Sequence, residues 1–257
     1  MTRPTAKQLQ RFVDSDRRHA ILHADCLDVG GKLPAGCVGL TCTDPPFGCN
    51  WQGSHGLKGT RAIANDKRPF VWWLHHAYLA TRRGGALLCF TRPREAPLFK
   101  AAIEAAGFTW RADLIWHKAM GGVGDCAGAP QPDYELIVFA TKGRFKLPGR
   151  RPSSVLRHTA IPGTKREHPT QKPAALMAEL VGDYSSPDDL VYDPCCGIAS
   201  TGEGCLLKGR RFLGVELDAT HHATGARRLR NAERQRDRTV RPRLARPLHT
   251  TPTRAAA

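Results

Sequence analysis

The chain has 257 residues, a formal net charge of +16 and a sequence pI near 9.9. This length suits one α/β domain with a substantial core, and the basic charge makes a polyanion such as nucleic acid the expected partner. No apolar run approaches the roughly 18 residues of a membrane-spanning helix, and the first residues do not resemble a signal peptide. We therefore predict a cytoplasmic protein with no membrane partner.

The nine cysteines follow no disulfide or metal-binding pattern. Their number is odd, their spacing is irregular, and no Cys-x-x-Cys pair occurs. Two histidine pairs, at 75–76 and 221–222, lack partners at the spacing of metal ligands. The sequence therefore predicts neither structural disulfides nor a metal site.

Apolar runs that predict strands alternate along the chain with amphipathic stretches that predict helices. This alternation is typical of an α/β fold, in which a mostly parallel sheet carries helices on both faces and binds ligands at the carboxyl ends of its strands. The strands are predicted at residues 20–24, 38–43, 85–91, 114–116, 136–141, 191–193 and 212–216, and the helices at 70–82, 95–106, 174–183, 201–208 and 220–236.

A polar and aromatic tetrapeptide, Asp44-Pro45-Pro46-Phe47, follows the predicted strand at 38–43. It displays a carboxylate, a prolyl carbonyl and an aromatic ring at one strand end. The exocyclic amine of a nucleobase needs such a set, because its two N–H bonds require acceptors and its flat ring stacks on an aromatic face. The motif indicates base methylation, although the same residues also suit a polar turn.

A second motif spans residues 193–202, between the predicted strand at 191–193 and the predicted helix at 201–208. A turn of small residues lets a ligand approach the backbone, and the helix start offers unpaired N–H groups. The next predicted strand, Arg211 to Asp218, ends on an acid about 20 residues after the turn, which is the spacing of a carboxylate that binds a ribose diol. Neither GxGxxG nor GxxxxGK[ST] occurs, so a nucleoside cofactor smaller than a dinucleotide is favoured.

A third motif, His168-Pro169-Thr170-Gln171-Lys172-Pro173, precedes the predicted helix at 174–183. Pro173 suits the first helical turn and Thr170 suits a cap. On their own these residues would indicate only a helix start. Their occurrence beside the other two motifs favours a functional segment.

Together the three motifs resemble those of the β-group of amino-directed DNA methyltransferases, which methylate adenine N6 or cytosine N4 with S-adenosylmethionine. The resemblance covers roughly residues 19–231, and the catalytic motif precedes the cofactor turn, which is the circularly permuted order. It implies a Rossmann-like methyltransferase fold. The matching segments are residues 24–27, 43–47, 65–70, 134–139, 168–173 and 193–202.

The resemblance implies a role for each matching residue. Asp44 and the Pro45 carbonyl would accept hydrogen bonds from the target amine, Pro46 would complete the motif, and Phe47 would stack on the extruded base. The implied cofactor residues are Asp25 and Cys26 at the adenine, Glu216 at the ribose, Asp193, Cys195 and Gly197 at the methionine part, and Thr170 and Lys172 at the carboxylate.

One departure from the family concerns the cofactor turn, which usually reads Phe-x-Gly-Ser-Gly-Thr-Thr. Here Cys195, Ile198, Ala199 and Ser200 replace the Phe, the Ser, the second Gly and a Thr. Ala199 fits if its φ is negative, whereas a left-handed turn would cost of order 1 kcal/mol. A DNA-binding module that has lost catalysis is therefore an alternative, although the intact Asp44–Phe47 motif favours an enzyme.

The chain divides into an N-terminal extension at 1–18, a methyltransferase domain at 19–236 and a basic tail at 237–257 that we predict to be disordered. Two irregular insertions, at about 48–67 and 118–167, carry cations that would contact phosphates more than bases. Trp51 would serve as a wedge or lid for the flipped base, or simply pack. The predicted DNA-binding residues are Trp51, Lys58, Arg61, Arg150, Arg151, Lys165 and Arg166.

We therefore predict a site-specific methyltransferase that modifies adenine N6 in double-stranded DNA. The family tends to carry Ser rather than Asp at position 44 in its cytosine N4 enzymes, which favours adenine. Cytosine N4, and amines of RNA or protein, are the alternative targets. The sequence leaves open the recognition site, a homodimeric state and a restriction endonuclease partner.

Overall fold

The computed structural model describes residues 1, 3–50, 64–119, 127–168 and 170–244, with side chains described as far as residue 238. The strands are β1 His19–His23, β2 Val38–Thr43, β3 Thr81–Thr91, β4 Thr109–His117, β5 Tyr134–Thr141, β6 Val155–Arg157, β7 Leu190–Asp193 and β8 Arg211–Glu216. The helices are α1 Ala6–Val13, α2 Cys26–Gly30, α3 Leu74–Ala80, α4 Ala96–Ala105, α5 Ala174–Tyr184, α6 Ser200–Leu207 and α7 Ala219–Leu244, with a 3-10 turn at Gly163–Lys165.

The strands form one eight-stranded sheet in the order β1-β8-β7-β2-β3-β5-β4-β6. Five of its seven neighbouring pairs are parallel, and only the pairs of β5 with β3 and β4 are antiparallel. Parallel pairing of β8, β7, β2 and β3 follows from the helices that cross between them. The predicted α/β fold with a mostly parallel sheet is confirmed.

Helices cover both faces of the sheet. All six residues of β2 are buried, as expected for a central strand with no solvated face. Alternate side chains enter two separate cores: Leu88 packs in the core beneath α5, α6 and α7, while its neighbour Leu87 packs in the core beneath α1 to α4. Burial on both faces holds the sheet in place, and the motifs lie at the carboxyl ends of its strands.

The N-terminal extension packs against the domain through α1, which the sequence analysis did not predict. Thr5 and Gln8 form a capping box, and Leu9 is buried. The Arg211 guanidinium on β8 donates hydrogen bonds to the carbonyls of Phe12 and Val13, at 2.7 and 2.9 Å. Residues 6–13 are therefore part of the folded unit.

Three boundaries differ from the predictions. The helix predicted at 70–82 is limited to Leu74–Ala80, because β3 already begins at Thr81. The longer start of β3 is accommodated by a register irregularity in its pairing with residues 38–40 of β2. The strand predicted at 114–116 is the end of the longer β4. Helix α7 continues to Leu244, beyond residue 237 where the tail was predicted to begin, and residues 245–257 lie outside the described part of the chain.

Within the described ranges, no helix is long and apolar enough to cross a membrane. The same residues contain no group of three or more His, Cys, Asp and Glu side chains arranged to hold a metal ion. The eight cysteines that the structure describes are free thiols.

Candidate active site

The carboxyl ends of β2, β7 and β8 meet at one cavity of about 240 Å³. Neighbouring parallel strands end at the same edge of a sheet, so residues distant in the sequence come together there. The lining contains every residue predicted for catalysis or for the cofactor, namely Asp25, Cys26, Asp44, Pro45, Pro46, Phe47, Thr170, Lys172, Asp193, Cys195, Gly197 and Glu216.

The tetrapeptide after β2 has acceptor groups available. The Pro46 carbonyl accepts the Phe70 N–H at 3.0 Å, whereas the Pro45 carbonyl accepts no hydrogen bond from the described residues. The Asp44 Oδ1 atom is buried and likewise has no partner there. One carboxylate oxygen and one prolyl carbonyl therefore keep acceptor capacity that the described residues do not use.

The backbone after Phe47 is held by Asp66, whose role the sequence analysis did not identify within the matching segment 65–70. The Asp66 Oδ1 atom accepts hydrogen bonds from the N–H groups of Gly48 and Cys49, at 2.8 and 3.3 Å. Gly48 has φ +83°, and a Cβ there would lie 2.3 Å from the Pro69 nitrogen. The Phe47 ring packs edge-to-face on Phe99, with 6.4 Å between centroids. This segment is thus a fixed turn that presents Phe47 to the cavity.

Lys172 contacts the catalytic motif. Its ammonium group donates a hydrogen bond to Asp44 Oδ2 at 2.6 Å and lies 3.1 Å from Glu135 Oε2, and Glu135 in turn pairs with Lys118 at 2.9 Å. The predicted contact of Lys172 with the cofactor carboxylate stays a prediction. The side-by-side strands β2, β3, β5 and β4 bring Asp44, Glu135 and Lys118 to one edge of the sheet, where Lys172 meets them from the segment before α5.

The pKa values within this cluster follow from burial and mutual charge. Burial raises the pKa of Asp44 above its usual value, and the Lys172 ammonium partly opposes this effect. Burial also acts against the charge of Lys172, but the Asp44 and Glu135 carboxylates raise its pKa overall. Burial opposes ionisation of Glu135 too, yet Lys172 and Lys118 lower its pKa. Lys172 is therefore a cation and Glu135 an anion at neutral pH.

Thr170 does not cap α5. The helix is preceded by Pro173 at its N-cap, which offers no side-chain hydrogen bond, so the predicted cap is wrong. The exposed Thr170 hydroxyl instead lies 3.1 Å from Nδ1 of His168, whose ring packs edge-to-face on His221. Burial, with the nearby His221 and Lys172 charges, lowers the pKa of His168 to about 4. His168 is thus neutral at physiological pH.

The turn after β7 is tied together by two carboxylates. The Asp193 Oδ2 atom accepts the Thr201 hydroxyl at 2.6 Å, and Oδ1 accepts the Cys195 N–H at 3.1 Å. The Glu216 carboxylate accepts the N–H groups of Gly197 and Asp218, both at 2.8 Å. A carboxylate has about four lone-pair sites, so Glu216 keeps acceptor capacity for a ligand.

Burial raises the pKa of Asp193 to about 7, since the residue is 2% exposed. A folded-state pKa above the unfolded value stabilises the fold below the unfolded pKa, and this contribution is lost as pH rises through 7. We expect the free energy of unfolding of the wild type, relative to that of Asp193→Asn, to fall by at most about 4 kcal/mol between pH 4 and pH 8. Urea unfolding of both proteins across this range measures the difference; parallel stability curves would contradict a raised pKa.

Ala199 adopts the left-handed conformation, with φ 62° and ψ 40°, immediately before α6. The substitution for the family's glycine therefore carries the conformational cost considered in the sequence analysis. The Ala199 methyl group is fully buried in the core beneath α5, α6 and α7, which offsets that cost. The turn consequently forms despite its altered sequence.

Because these two effects oppose each other, we expect Ala199→Gly to change the free energy of unfolding by less than about 1 kcal/mol. Ala199→Val should destabilise the protein by more than about 2 kcal/mol, since a β-branched side chain suits neither the φ value nor the space. Urea unfolding tests both, with Ala102→Gly inside α4 as a control for the ordinary cost of a helical glycine. Equal stability of the valine variant and the wild type would contradict the left-handed turn.

Asp25 and Cys26 lie at the start of α2, beside the turn. Asp25 is the N-cap, and its Oδ1 accepts the Leu27 N–H at 2.9 Å. Hydrogen bonding with Cys26 and burial raise the pKa of Cys195 well above the usual value for a thiol. Cys195 is therefore a poor source of thiolate, which argues against a covalent cysteine mechanism.

The predicted DNA-binding cations that the structure describes are on the surface. Arg150, Arg151, Lys165 and Arg166 are all exposed, and Lys165 ends the 3-10 turn just before the His168 segment. Trp51, Lys58 and Arg61 lie outside the described residues.

Comparison with known proteins finds sequence similarity to DNA methylases. The model of a DNA methylase family, N6_N4_Mtase, matches residues 38–227. The putative methylase YubD of Escherichia coli K12 is 29% identical over 221 residues, covering 83% of this chain and 91% of the relative. The DNA adenine methyltransferase YhdJ of the same organism is 25% identical over 249 residues, covering 81% and 82%.

Solved structures share the fold. The crystal structure of the M1.HpyAVI–SAM complex superposes with a TM-score of 0.66 at 23% identity, covering 82% of this chain and 98% of that one. The cytosine-N4-specific PvuII DNA methyltransferase gives 0.66 at 15% identity, covering 85% and 92%. Since the family model matches most of the sequence and includes all three motifs, this chain belongs to the N6/N4 DNA methylase family.

Proposed function

We propose that this protein transfers a methyl group from S-adenosylmethionine to the exocyclic N6 of a flipped adenine in double-stranded DNA. The observation that carries this proposal is the meeting of two acceptors, Asp44 Oδ1 and the Pro45 carbonyl, with the Asp193–Gly197 turn and Glu216 in one cavity. An amino-directed transfer needs these acceptors, because the amine lone pair is delocalised into the ring until its protons are held.

The residues of the cavity fit S-adenosylmethionine. Glu216 retains lone pairs for ribose hydroxyls, and the Asp193 carboxylate suits the cationic methionine part. Asp25 and Cys26 line the same cavity and would contact the adenine. When bound, the cofactor supplies an electrophilic methyl group, so that a nitrogen–carbon bond forms as the carbon–sulfur bond breaks and one amino proton is released.

The protein's own contribution is alignment. Asp44 and Pro45 would accept hydrogen bonds from the two amino protons and favour the pyramidal nitrogen with a localised lone pair, and Phe47, fixed by its packing on Phe99, would stack on the ring. Stacking offsets part of the few kcal/mol needed to unpair the base. The acceptors after β2 and the cofactor residues of β7 and β8 line the same cavity, which would allow the protein to align the nitrogen with the methyl group.

Adenine is favoured over cytosine for two reasons. Asp rather than Ser opens the catalytic motif, and the relative YhdJ is a DNA adenine methyltransferase. Cytosine N4 is the second candidate, because PvuII methyltransferase has the same fold and the family includes both chemistries. Long-read sequencing of host DNA with and without the gene distinguishes them: N6-methyladenine at a recurring sequence supports the proposal, and N4-methylcytosine would replace it.

We further propose that Arg150, Arg151, Lys165 and Arg166 contact DNA phosphates, which the net charge of +16 supports. Replacing Arg150 and Arg151 with alanine should weaken DNA binding equally for all sequences. It should also lower the slope of log affinity against log salt by about 0.9 for each lost phosphate contact. Arg11→Ala is the matched control, because this exposed arginine lies on α1, which packs beside β8, at the other side of the sheet from β6. An unchanged salt slope in the double variant would contradict the assignment.

A further inference from the structure

Four side chains of alternating charge extend from the catalytic motif into the protein: Asp44, Lys172, Glu135 and Lys118. They come from the end of β2, the segment before α5, the start of β5 and the residue after β4. The links between successive members measure 2.6, 3.1 and 2.9 Å. Lys172 is 6% exposed, so its ion pairs are shielded from solvent.

Two aromatic rings flank the Lys172 ammonium group. This group lies 5.0 Å from the ring centroid of Phe90 and 5.9 Å from that of Trp116. Both rings are nearly fully buried and limit the positions open to the ammonium group. A cation constrained in this way fixes the rotation of the carboxylate that it binds.

We propose that Lys172 and Glu135 are positioning residues for methyl transfer: Lys172 holds Asp44 ionised and turned so that Oδ1 accepts the hydrogen bond of the target amine, and Glu135 holds Lys172 in place. This inference rests on the proposed function. Lys172 occupies Oδ2, and the buried Oδ1 has no partner among the described residues. A protonated carboxyl would present a donor in place of an acceptor, so the ion pair preserves the acceptor that the amine requires.

Glu135 has a separate role in the same cluster. A buried ammonium with one carboxylate partner would be drawn wholly towards Asp44 and would weaken it as an acceptor. Glu135 supplies a second anion for Lys172, and Lys118 balances Glu135, so the four residues carry no net charge. Among the described residues, the Asp193 carboxylate at the end of β7 faces Asp44, and the His168 imidazole faces Lys172.

The competing role for Lys172 is a direct contact with the cofactor carboxylate, and the two roles predict different kinetics. The test compares Lys172→Met, Glu135→Gln and Lys100→Met. Lys100 forms an equally short ion pair with Asp113, at 2.6 Å, and is away from the cavity. Turnover, the dissociation constant for S-adenosylmethionine by calorimetry, and the pH–rate profile at saturating cofactor are measured for each protein.

We expect Lys172→Met to lower kcat roughly 100-fold with the cofactor dissociation constant within about twofold of wild type, because misplacement of a reacting group has effects of that size. The acidic limb of its pH–rate profile should move to higher pH. Glu135→Gln should move that limb to lower pH, since it removes a carboxylate that opposes ionisation of Asp44. Lys100→Met should change none of these quantities.

Wild-type kcat and an unmoved acidic limb in Lys172→Met would overturn the inference. So would an activity loss that disappears at saturating cofactor, because that result assigns Lys172 to cofactor binding. If Lys172→Met does not fold, the test depends on Glu135→Gln alone. An acidic limb of the pH–rate profile at the wild-type position in that variant overturns the inference. Failure of the proposed function is distinguishable, since the wild type itself would then transfer no methyl group.

Discussion

Replacing Asp44 with alanine is expected to lower methyl transfer to DNA by at least about 10²–10³-fold, the range seen when one preorganised hydrogen-bonding group is removed from an active site. The dissociation constant for S-adenosylmethionine should stay within about twofold of wild type, because Asp44 belongs to the acceptor edge of the cavity. Transfer of a tritiated methyl group and cofactor calorimetry measure the two quantities.

Two further variants define what Asp44 supplies. Asp44→Asn retains one oxygen acceptor but not the charge, so we expect a smaller loss than with alanine. Asp113→Asn removes the carboxylate of a similar ion pair on β4 and should leave activity unchanged. Since breaking a buried ion pair also costs stability, cofactor binding by the Asp44→Ala protein serves as its fold control. Wild-type activity in Asp44→Ala would remove this residue from the mechanism.

Replacing Glu216 with glutamine is expected to weaken S-adenosylmethionine binding about 10- to 100-fold, because a charged acceptor contributes about 1.5–3 kcal/mol per hydrogen-bonded group. The glutamine also loses one of the two acceptors for the N–H groups of Gly197 and Asp218, so the turn itself needs a control. Discrimination between adenosine and 2′-deoxyadenosine provides it. We expect the wild type to prefer adenosine and Glu216→Gln to bind both alike.

Glu104→Ala is the matched surface control, because this exposed carboxylate lies on α4, outside the cavity lining. It should bind the cofactor as the wild type does. Retention of the adenosine preference in Glu216→Gln would place the ribose elsewhere. Equal weakening of adenosine and 2′-deoxyadenosine would assign Glu216 to the turn alone.

The parts of the fold that the sequence predicts are those with strong local patterns. The six-residue β2 is buried throughout, and its apolar run stands out. By contrast β6 has only three residues and forms through pairing with β4, which no local pattern reveals. Helix α1 could have been predicted from its Thr5-x-x-Gln8 capping box, which is a known sequence signature of a helix start.

Some features of the candidate site can likewise be predicted from the sequence, and others cannot. Asp44, Asp193 and Glu216 each follow or end a strand, so their convergence follows from a parallel sheet. The partnership of Lys172 with Asp44 and Glu135 depends on the antiparallel insertion of β5 between β3 and β4, which determines which residues become neighbours. The left-handed φ of Ala199 was likewise undetermined, since alanine normally avoids that region.

The most direct test of the account is to incubate the purified protein with unmodified DNA and S-adenosylmethionine carrying a trideuterated methyl group, and then to digest the DNA to nucleosides for mass spectrometry. The account predicts trideuterated N6-methyladenine with the wild type and none with Asp44→Ala. Label in N4-methylcytosine alone would show that the protein methylates cytosine N4 instead of adenine N6. Absence of labelled nucleoside from a protein that binds both DNA and cofactor would contradict the account.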